Sequence, residues 1–375
     1  MKDTFSVQKL ASLLIIVCIL VYFLVIAKNV LMPFLFAGLF AFLLKPLCSK
    51  IEQFIPLPGV AVGLSIMALI VPIILVMALF SVQIATVFED LPAIGNRLET
   101  GMNEAFQWIN RQIGLGGISS RDWMEDNASK MMDGPLSLIG KSLSFSSIFA
   151  ANFFLFFLYT FFLLLYRSSI KQFLLIQVSE TERPKREALF VKIQGVVQKY
   201  LSGMGIVMLV LGGLNSLGLY LIGLQYALLW GFLAAFLAII PYIGTLVGGL
   251  LPFLYAMATS DSLTQPILVI LLFGIIQGLE GNIITPKIVG SSVKINPLAA
   301  IISLIIGAAL WGVAGIILAL PSIAVLRIVM GEIDVLKPFS VLLSSDIYEK
   351  EKVFENKFDK ERFRFKNFFK RKETV

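Results

Sequence analysis

The sequence predicts an all-α polytopic membrane protein with about eight apolar segments. Two of those segments read as broken or re-entrant hairpins, and the C-terminal half carries an inverted repeat. Three observations support this class. Of the 375 residues, 58% are hydrophobic and 15% charged, where a soluble domain is nearer a quarter charged. Mean hydropathy is +0.88, so lipid is the solvent for much of the chain. The net charge of +7 is unevenly placed, with the bases gathered in particular connections.

A membrane crossing takes about 20 apolar residues. Runs of that order occupy 10–27, 30–44, 60–87, 147–166, 202–223, 227–258, 265–281 and 298–329. The first follows "MKDTFSVQK" and has no small-residue cleavage site after a short core, so it reads as a retained helix rather than a signal peptide. Lys28 and Asn29 suggest a tight polar turn before the second run, and the short pair is expected to form a tilted or incompletely crossing hairpin. Val87, Leu91, Ile94, Leu98, Met102, Ala105, Ile109 and Ile113 recur three or four apart, which is one helical face. "GLGG" at 114–117 should end that helix. The face suits the membrane surface, the rest of the protein or an oligomer contact. In 167–200, Pro184 lies near a helix start, and Leu189, Ile193, Val196, Val197 and Tyr200 share one side. This reads as an interfacial helix feeding the next span.

The runs 227–258 and 298–329 are too long for one simple crossing. About 32 residues at 1.5 Å each reach roughly 48 Å against a hydrocarbon core of about 30 Å. Pro241 and Gly244 break the first, in "IIPYIG"; Gly312 and Gly315 break the second, in "WGVAG". Charge placement chooses between a kink and a hairpin, because Lys and Arg gather on the cytoplasmic side. The 167–200 connection has seven bases and three acids, whereas 88–145 has five bases and eight acids. The former is expected inside and the latter outside. Counting crossings from there returns each long run to the side it left. The domains then read as 1–87, N-terminal transmembrane segments; 88–145, an extracytoplasmic amphipathic segment; 146–166, a transmembrane helix; 167–200, a cytoplasmic amphipathic linker; 201–330, a core with two broken hairpins; and 331–375, a cytoplasmic basic and aromatic tail. A faint echo lays "LNSLGLYLIG" over "GNIITPKIVG", with Asn215 opposite Asn282 and Gly223 opposite Gly290. Inverted repeats with broken helices are a common transporter plan.

Several chemistries are excluded or unsupported. There is no histidine, so His triads, His metal sites and His proton shuttles are absent. Cys18 and Cys48 have no metal spacing and read as small apolar residues. Without a GxxxxGK[ST], a G-x-S-x-G or an H-E-x-x-H, neither nucleotide binding nor the usual catalytic constellations are expected. No cofactor, metal, catalytic residue or nucleic-acid partner is assigned. The tail alternates bases with Phe363, Phe365, Phe368 and Phe369, which suits anionic lipid or a solvated tail.

Polar chemistry concentrates in "FGIIQGLEGNIITPKIVG". Gln277, Glu280 and Asn282 offer oxygens beside Gly278 and Gly281, and Pro286 frees a carbonyl four residues back. A carboxylate in a span costs a few kcal/mol and tends to face a cavity or a partner. Glu280 therefore either lines a path for a cation, a proton or a small polar solute, or anchors a helix end beside Lys287. The bend at Pro241 and Gly244 reads either as a gate or as a packing kink.

"IPYIG" at 240–244, "LEGNIITPKIVG" at 279–290 and "INPLAAIISLIIGAALWGVAGIILALPSIAVLRIV" at 295–329 resemble the autoinducer-2 exporter family of bacterial permeases. Glu280, Asn282, Pro286, Gly290, Pro297, Gly312, Gly315 and Pro321 carry the resemblance. It implies a multi-pass inner-membrane protein with both ends cytoplasmic, forming a homo-oligomer. It also implies export of a furanone signal or related small polar solute, or sodium–proton exchange in some members. On that reading 201–330 is a transport core, and Asn215, Gln277, Glu280 and Asn282 are its pathway residues.

The orientation is testable by labelling single introduced cysteines in intact cells. Sites near Lys185 and Arg364 should react only from the cytoplasm, and one near Asn110 only from outside. Cytoplasmic labelling near Asn110 would invert the topology.

Overall fold

The computed structural model describes residues 7–113, 142–240, 243–260, 262–289 and 294–345, with the backbone alone for 7–10, 13, 88–113, 142–149 and 243. Pro241, Gly290, "GLGG" at 114–117 and the tail aromatics lie outside these residues. Among the described residues the chain is helical and has no strand, as its composition predicts; one isolated bridge joins Ile295 to Ser344. The helices are α1 (Val7–Ile26), α2 (Lys28–Phe54), α3 (Pro58–Ile113), α4 (Ser142–Leu165), α5 (Arg167–Ile176), α6 (Arg183–Leu221), α7 (Ala227–Leu237), α8 (Ile243–Thr259), α9 (Thr264–Leu279), α10 (Thr285–Ile288), α11 (Pro297–Glu332) and α12 (Lys337–Leu342).

By length and composition, five of these segments are apolar enough to cross a membrane: Lys28–Phe54, Pro58–Val87, Arg183–Leu221, Thr264–Ile288 and Pro297–Glu332. Their apolar surface is turned outward. Only 11% of the most apolar window of Thr264–Ile288 is buried in protein, which suits lipid on most sides. The 56-residue α3 measures about 84 Å at 1.5 Å per residue. Its backbone continues through 87–88 without a break and stops at Ile113. Similarly, α6 joins the interfacial stretch to the following span in one 39-residue helix, with Pro184 in its first turn.

Between α1 and α2 the expected hairpin is absent. Ala27, at φ −81° and ψ 10°, is the only residue separating the two helices. Ala27 N–H donates to Phe23 O, and Leu31 N–H donates to Ala27 O. Both helices thus bond to the junction residue, and the chain bends there without turning back. Lys28 and Asn29 enter the helix because neither blocks it. A sharper bend of 63° separates Ala150–Leu165 from Arg167–Ile176.

The chain forms two compact units. One comprises 1–66, 154–202 and 289–375, and the other 67–153 and 203–288. In the second unit, α7 and α8 are the arms of a folded-back hairpin. A Cβ on Gly244 would lie 1.7 Å from Leu237 O, and one on Gly248 would lie 2.9 Å from the Ala234 Cα. As the residue number rises on one arm it falls on the other, so the arms are antiparallel. At the hairpin's open end, Leu219, Leu224, Trp230, Tyr255 and Val269 form the unit's buried core. There Tyr255 Oη donates to Gln225 Oε1 at 3.2 Å, and Gln265 Nε2 donates to Ile222 O at 3.3 Å.

The first unit holds the other hairpin, inside α11. Trp311 (φ −137°, ψ 18°) and Gly312 (φ 61°, ψ −136°) leave helical geometry. A Cβ on Gly315 would fall 1.9 Å from Gly307 O, and one on Gly307 would fall 3.2 Å from the Ala319 Cβ. In a straight helix, residues 307 and 315 stand about 12 Å apart. The helix therefore reverses at Gly312, and its 36 residues are two antiparallel arms. Gly312 adopts a backbone that L side chains rarely reach. Pro321 is buried in the second arm.

The base of this hairpin is tied by side chains. Asn296 caps the first arm by accepting from Ala299 N at 2.8 Å, with Pro297 at the favoured first position. Its Nδ2 donates to Leu342 O at 2.6 Å. Arg327, on the returning arm, donates to Lys294 O and, at 3.1 Å, to Ser344 Oγ.

Gly315→Ala should lower stability by at least about 2 kcal/mol, because two backbones must separate to admit the methyl group. Gly274→Ala meets nothing within 4 Å and should gain about 0.5–1 kcal/mol as a helix-interior glycine replacement. Thermal unfolding in detergent distinguishes them. Equal melting temperatures for Gly315→Ala and the parent would refute the contact between the arms.

Candidate functional site

Within the second unit, four helical segments surround a small cleft lined by Leu211, Asn215, Ala234, Ala238, Thr245, Phe273, Ile276, Gln277 and Glu280. Helical periodicity explains the set. Leu211 and Asn215 are four apart on α6, and Ala234 and Ala238 are four apart on α7. Phe273, Ile276, Gln277 and Glu280 follow at intervals of three, one and three, which is one face of a helix. Thr245 comes from the tip of the returning arm, next to Gly244. Small residues allow this convergence. Gly231 on α7 lies so close to α6 that a Cβ there would come within 2.4 Å of Ser216 N. The alanines at 234 and 238 then leave the space that larger side chains would fill.

Asn215 is only 4% exposed, and its Oδ1 has no hydrogen-bond partner. A buried acceptor without a donor costs about 1–3 kcal/mol. Lining the same cleft are the Gln277 amide and the half-buried Glu280 carboxylate. The volume, about 20 Å³, holds one water-sized occupant.

Glu280 begins a π-helical turn, Glu280–Ile284, that leads directly into α10. Pro286 supplies the cause. It has no N–H, and its ring crowds the carbonyl of Asn282. Widening the preceding turn relieves the crowding, and Thr285 N–H donates to Glu280 O, five residues back. The helix therefore continues to Ile288 rather than ending near Gly281, and Glu280 lies within a 25-residue span. Among the described residues, the ion pairs are Arg167–Glu52, Lys171–Glu187, Arg183–Glu180, Lys185–Glu332 and Lys337–Asp334. Glu280 and Lys287 are in none of them, so the anchoring pair, one of the two alternatives read from the sequence, is not formed.

Three of the four sequence-derived polar residues, Asn215, Gln277 and Glu280, thus meet in the cleft. Asn282 does not line it. It is exposed and donates from Nδ2 to Gly278 O at 2.8 Å, as short polar side chains do when they bond back along a helix. The two asparagines of the sequence echo therefore occupy different environments. Thr245 was missed in the sequence, although its place directly after Gly244 was the available signal. Also missed was a polar cluster in the first unit, where Glu52 accepts from Arg167 and Gln194 accepts from Lys45 at 2.5 Å. These partners lie far apart along the chain and leave no local pattern.

Outward-facing apolar helices of membrane-spanning length define a multi-pass membrane protein, with two hairpins folded back on themselves and a polar cleft between helices. The chain belongs to the AI-2E family: residues 12–334 match the family described as AI-2E family transporter. Among its relatives, "Putative transport protein YrrI" of Bacillus subtilis is 34% identical over 39% of this chain and 41% of its own length. "Putative transport protein YhhT" of Escherichia coli K12 is 31% identical over 36% of this chain and 38% of its own. A "Putative transport protein" of Methanothermobacter thermautotrophicus is 22% identical over 75% of this chain and 82% of its own. The chain thus spans about two fifths of the length of the first two.

Because Asn215 Oδ1 is unpaired, Asn215→Leu removes an uncompensated buried acceptor and should not lower stability. If the amide serves transport, flux in proteoliposomes should fall at least about tenfold, with the melting temperature preserved. Full flux in a folded Asn215→Leu protein would remove Asn215 from the pathway.

Proposed function

We propose that this chain is a secondary transporter of a small polar solute working by alternating access, and that the cleft of Asn215, Gln277, Glu280 and Thr245 binds its coupling cation or proton. The observation that carries the reading is the convergence of an unpaired buried amide oxygen from one span with a second amide and an unpaired carboxylate from another. A charged side chain at the centre of a span costs about 2.5–3.5 kcal/mol on insertion scales, and less towards its ends. A protein tolerates that cost where the charge has work to do, and Glu280 has no ion-pair partner to account for it. The π turn supports the same reading, since such turns recur at functional sites.

Size separates the roles. A cleft of about 20 Å³ suits a bare cation or one water, not a furanone-sized molecule. A solute such as the autoinducer-2 signal must therefore pass through a more open conformation, and the folded-back hairpin of α7 and α8 is the element proposed to move. A sodium–proton antiporter is the second reading, favoured by Glu280 being the one carboxylate in the cleft. The proposed setting is the bacterial inner membrane with both termini cytoplasmic, which the basic connections support; the homo-oligomer rests on the family resemblance.

Glu280→Gln tests this directly. The amide keeps the size but neither changes charge on proton binding nor neutralises a bound cation. In proteoliposomes under imposed sodium and proton gradients, the variant should lose at least about 90% of gradient-driven flux while eluting as a monodisperse protein. Normal coupled flux in Glu280→Gln would withdraw the cleft from the mechanism; passive, non-saturating flux in the parent would indicate a channel.

A further inference from the structure

The first unit contains a larger cavity, about 400 Å³, at the elbow where α4 turns 63° into α5. We infer that it is a binding site for an anionic phospholipid, with the phosphate held by Lys45, Arg167 and Lys171 and the acyl chains lying on Leu163, Leu174 and Phe190. These six residues all line the cavity, and no carboxylate does.

Charge identifies the ligand class. Arg167 is paired with Glu52, and Lys171 with Glu187. The remaining cation, Lys45, donates to the neutral Gln194 Oε1 at 2.5 Å. Three cations and two carboxylates leave one positive charge without an anion, held at the end of an otherwise apolar wall. A phosphodiester supplies that anion and accepts several hydrogen bonds at once, from a guanidinium as well as ammonium groups.

Shape selects a lipid over a free anion. Inorganic phosphate makes no use of the apolar residues that form most of the wall, whereas a phospholipid satisfies both parts. Depth agrees as well. The bend at Tyr166 separates an apolar span from a short helix bearing Arg167 and Lys171, with Phe173 and Ile176 exposed beside them. A bent span leading into a basic, aromatic helix is the usual arrangement at the headgroup level. The site is independent of the cleft around Glu280.

Native mass spectrometry of the full chain tests the inference. The protein is equilibrated in mixed micelles with phosphatidylglycerol or phosphatidylcholine of identical acyl chains. Phosphatidylglycerol should be retained as a discrete adduct at least about tenfold more than phosphatidylcholine, and excess inorganic phosphate should not displace it. Lys45→Gln should reduce retention about tenfold, roughly 1.4 kcal/mol. Lys45→Arg should restore it, and Lys28→Gln, outside the cavity, should leave it unchanged. Equal retention of the two lipids, displacement by phosphate, full retention in Lys45→Gln, or an equal loss in Lys28→Gln would each overturn the site. Should Lys45→Gln not fold, the parent protein decides. A phosphatidylglycerol with a photoreactive acyl chain should crosslink around Leu163, Leu174 and Phe190, and crosslinks confined elsewhere would refute the assignment.

Discussion

Lipid offers no hydrogen bonds, so each interruption of a helix in this protein must be covered by the protein itself. The interruptions obey that constraint in different ways. At Ala27 both helices bond to the junction residue, whose N–H donates to Phe23 O and whose carbonyl accepts from Leu31 N–H. Before Pro286 the helix widens by one residue and recovers a bond to Glu280 O. At the Gly312 reversal, the neighbouring Trp311 Nε1 donates to Leu24 O at 2.9 Å, a contact between hairpin tip and first helix within one unit. At the other end of that hairpin, Asn296 and Arg327 supply donors to the carbonyls of Leu342 and Lys294. Breaks are thus placed where a side chain or a neighbouring turn reaches them.

Hairpins add a second demand, because apolar side chains give arms no reason to prefer each other over lipid tails. Close packing supplies the preference. Gly307 and Gly315 bring two backbones together in one hairpin, and Gly244 and Gly248 do so in the other. Dispersion contacts grow steeply as surfaces approach, and glycine allows the nearest approach. The same logic joins α6 to α7 through Gly231 and Ser216, which sets the walls of the polar cleft.

Polar side chains follow two regimes. Near helix ends they are paired, as with Glu52 and Arg167 or Lys185 and Glu332. Within the spans, the Glu280 carboxylate has no ion-pair partner and the buried Asn215 Oδ1 has no hydrogen-bond donor. An unpaired polar atom in a helical scaffold is costly, and a bound species can complete it. The cleft around Asn215 and the cavity beside Lys45 are the two places proposed to be completed in this way, the first by a cation and the second by an anion.

The sequence by itself determined the helical membrane class, the long apolar runs, and the hairpin reversals near Gly244 and Gly312. Each of these follows from composition or from length against bilayer thickness, both of which are local properties. Only the tertiary structure decided that Asn215 joins Glu280 while Asn282 turns away, and that Glu280 lies inside a span instead of at its end. It also decided that α1 bends into α2 without reversing, and that Glu52 meets Arg167 across 115 residues. These outcomes depend on how closely separate helices pack and on a one-residue change of register before Pro286. Periodicity carries no information about a neighbour, so the meeting of helices was settled by the glycines and alanines at their crossings.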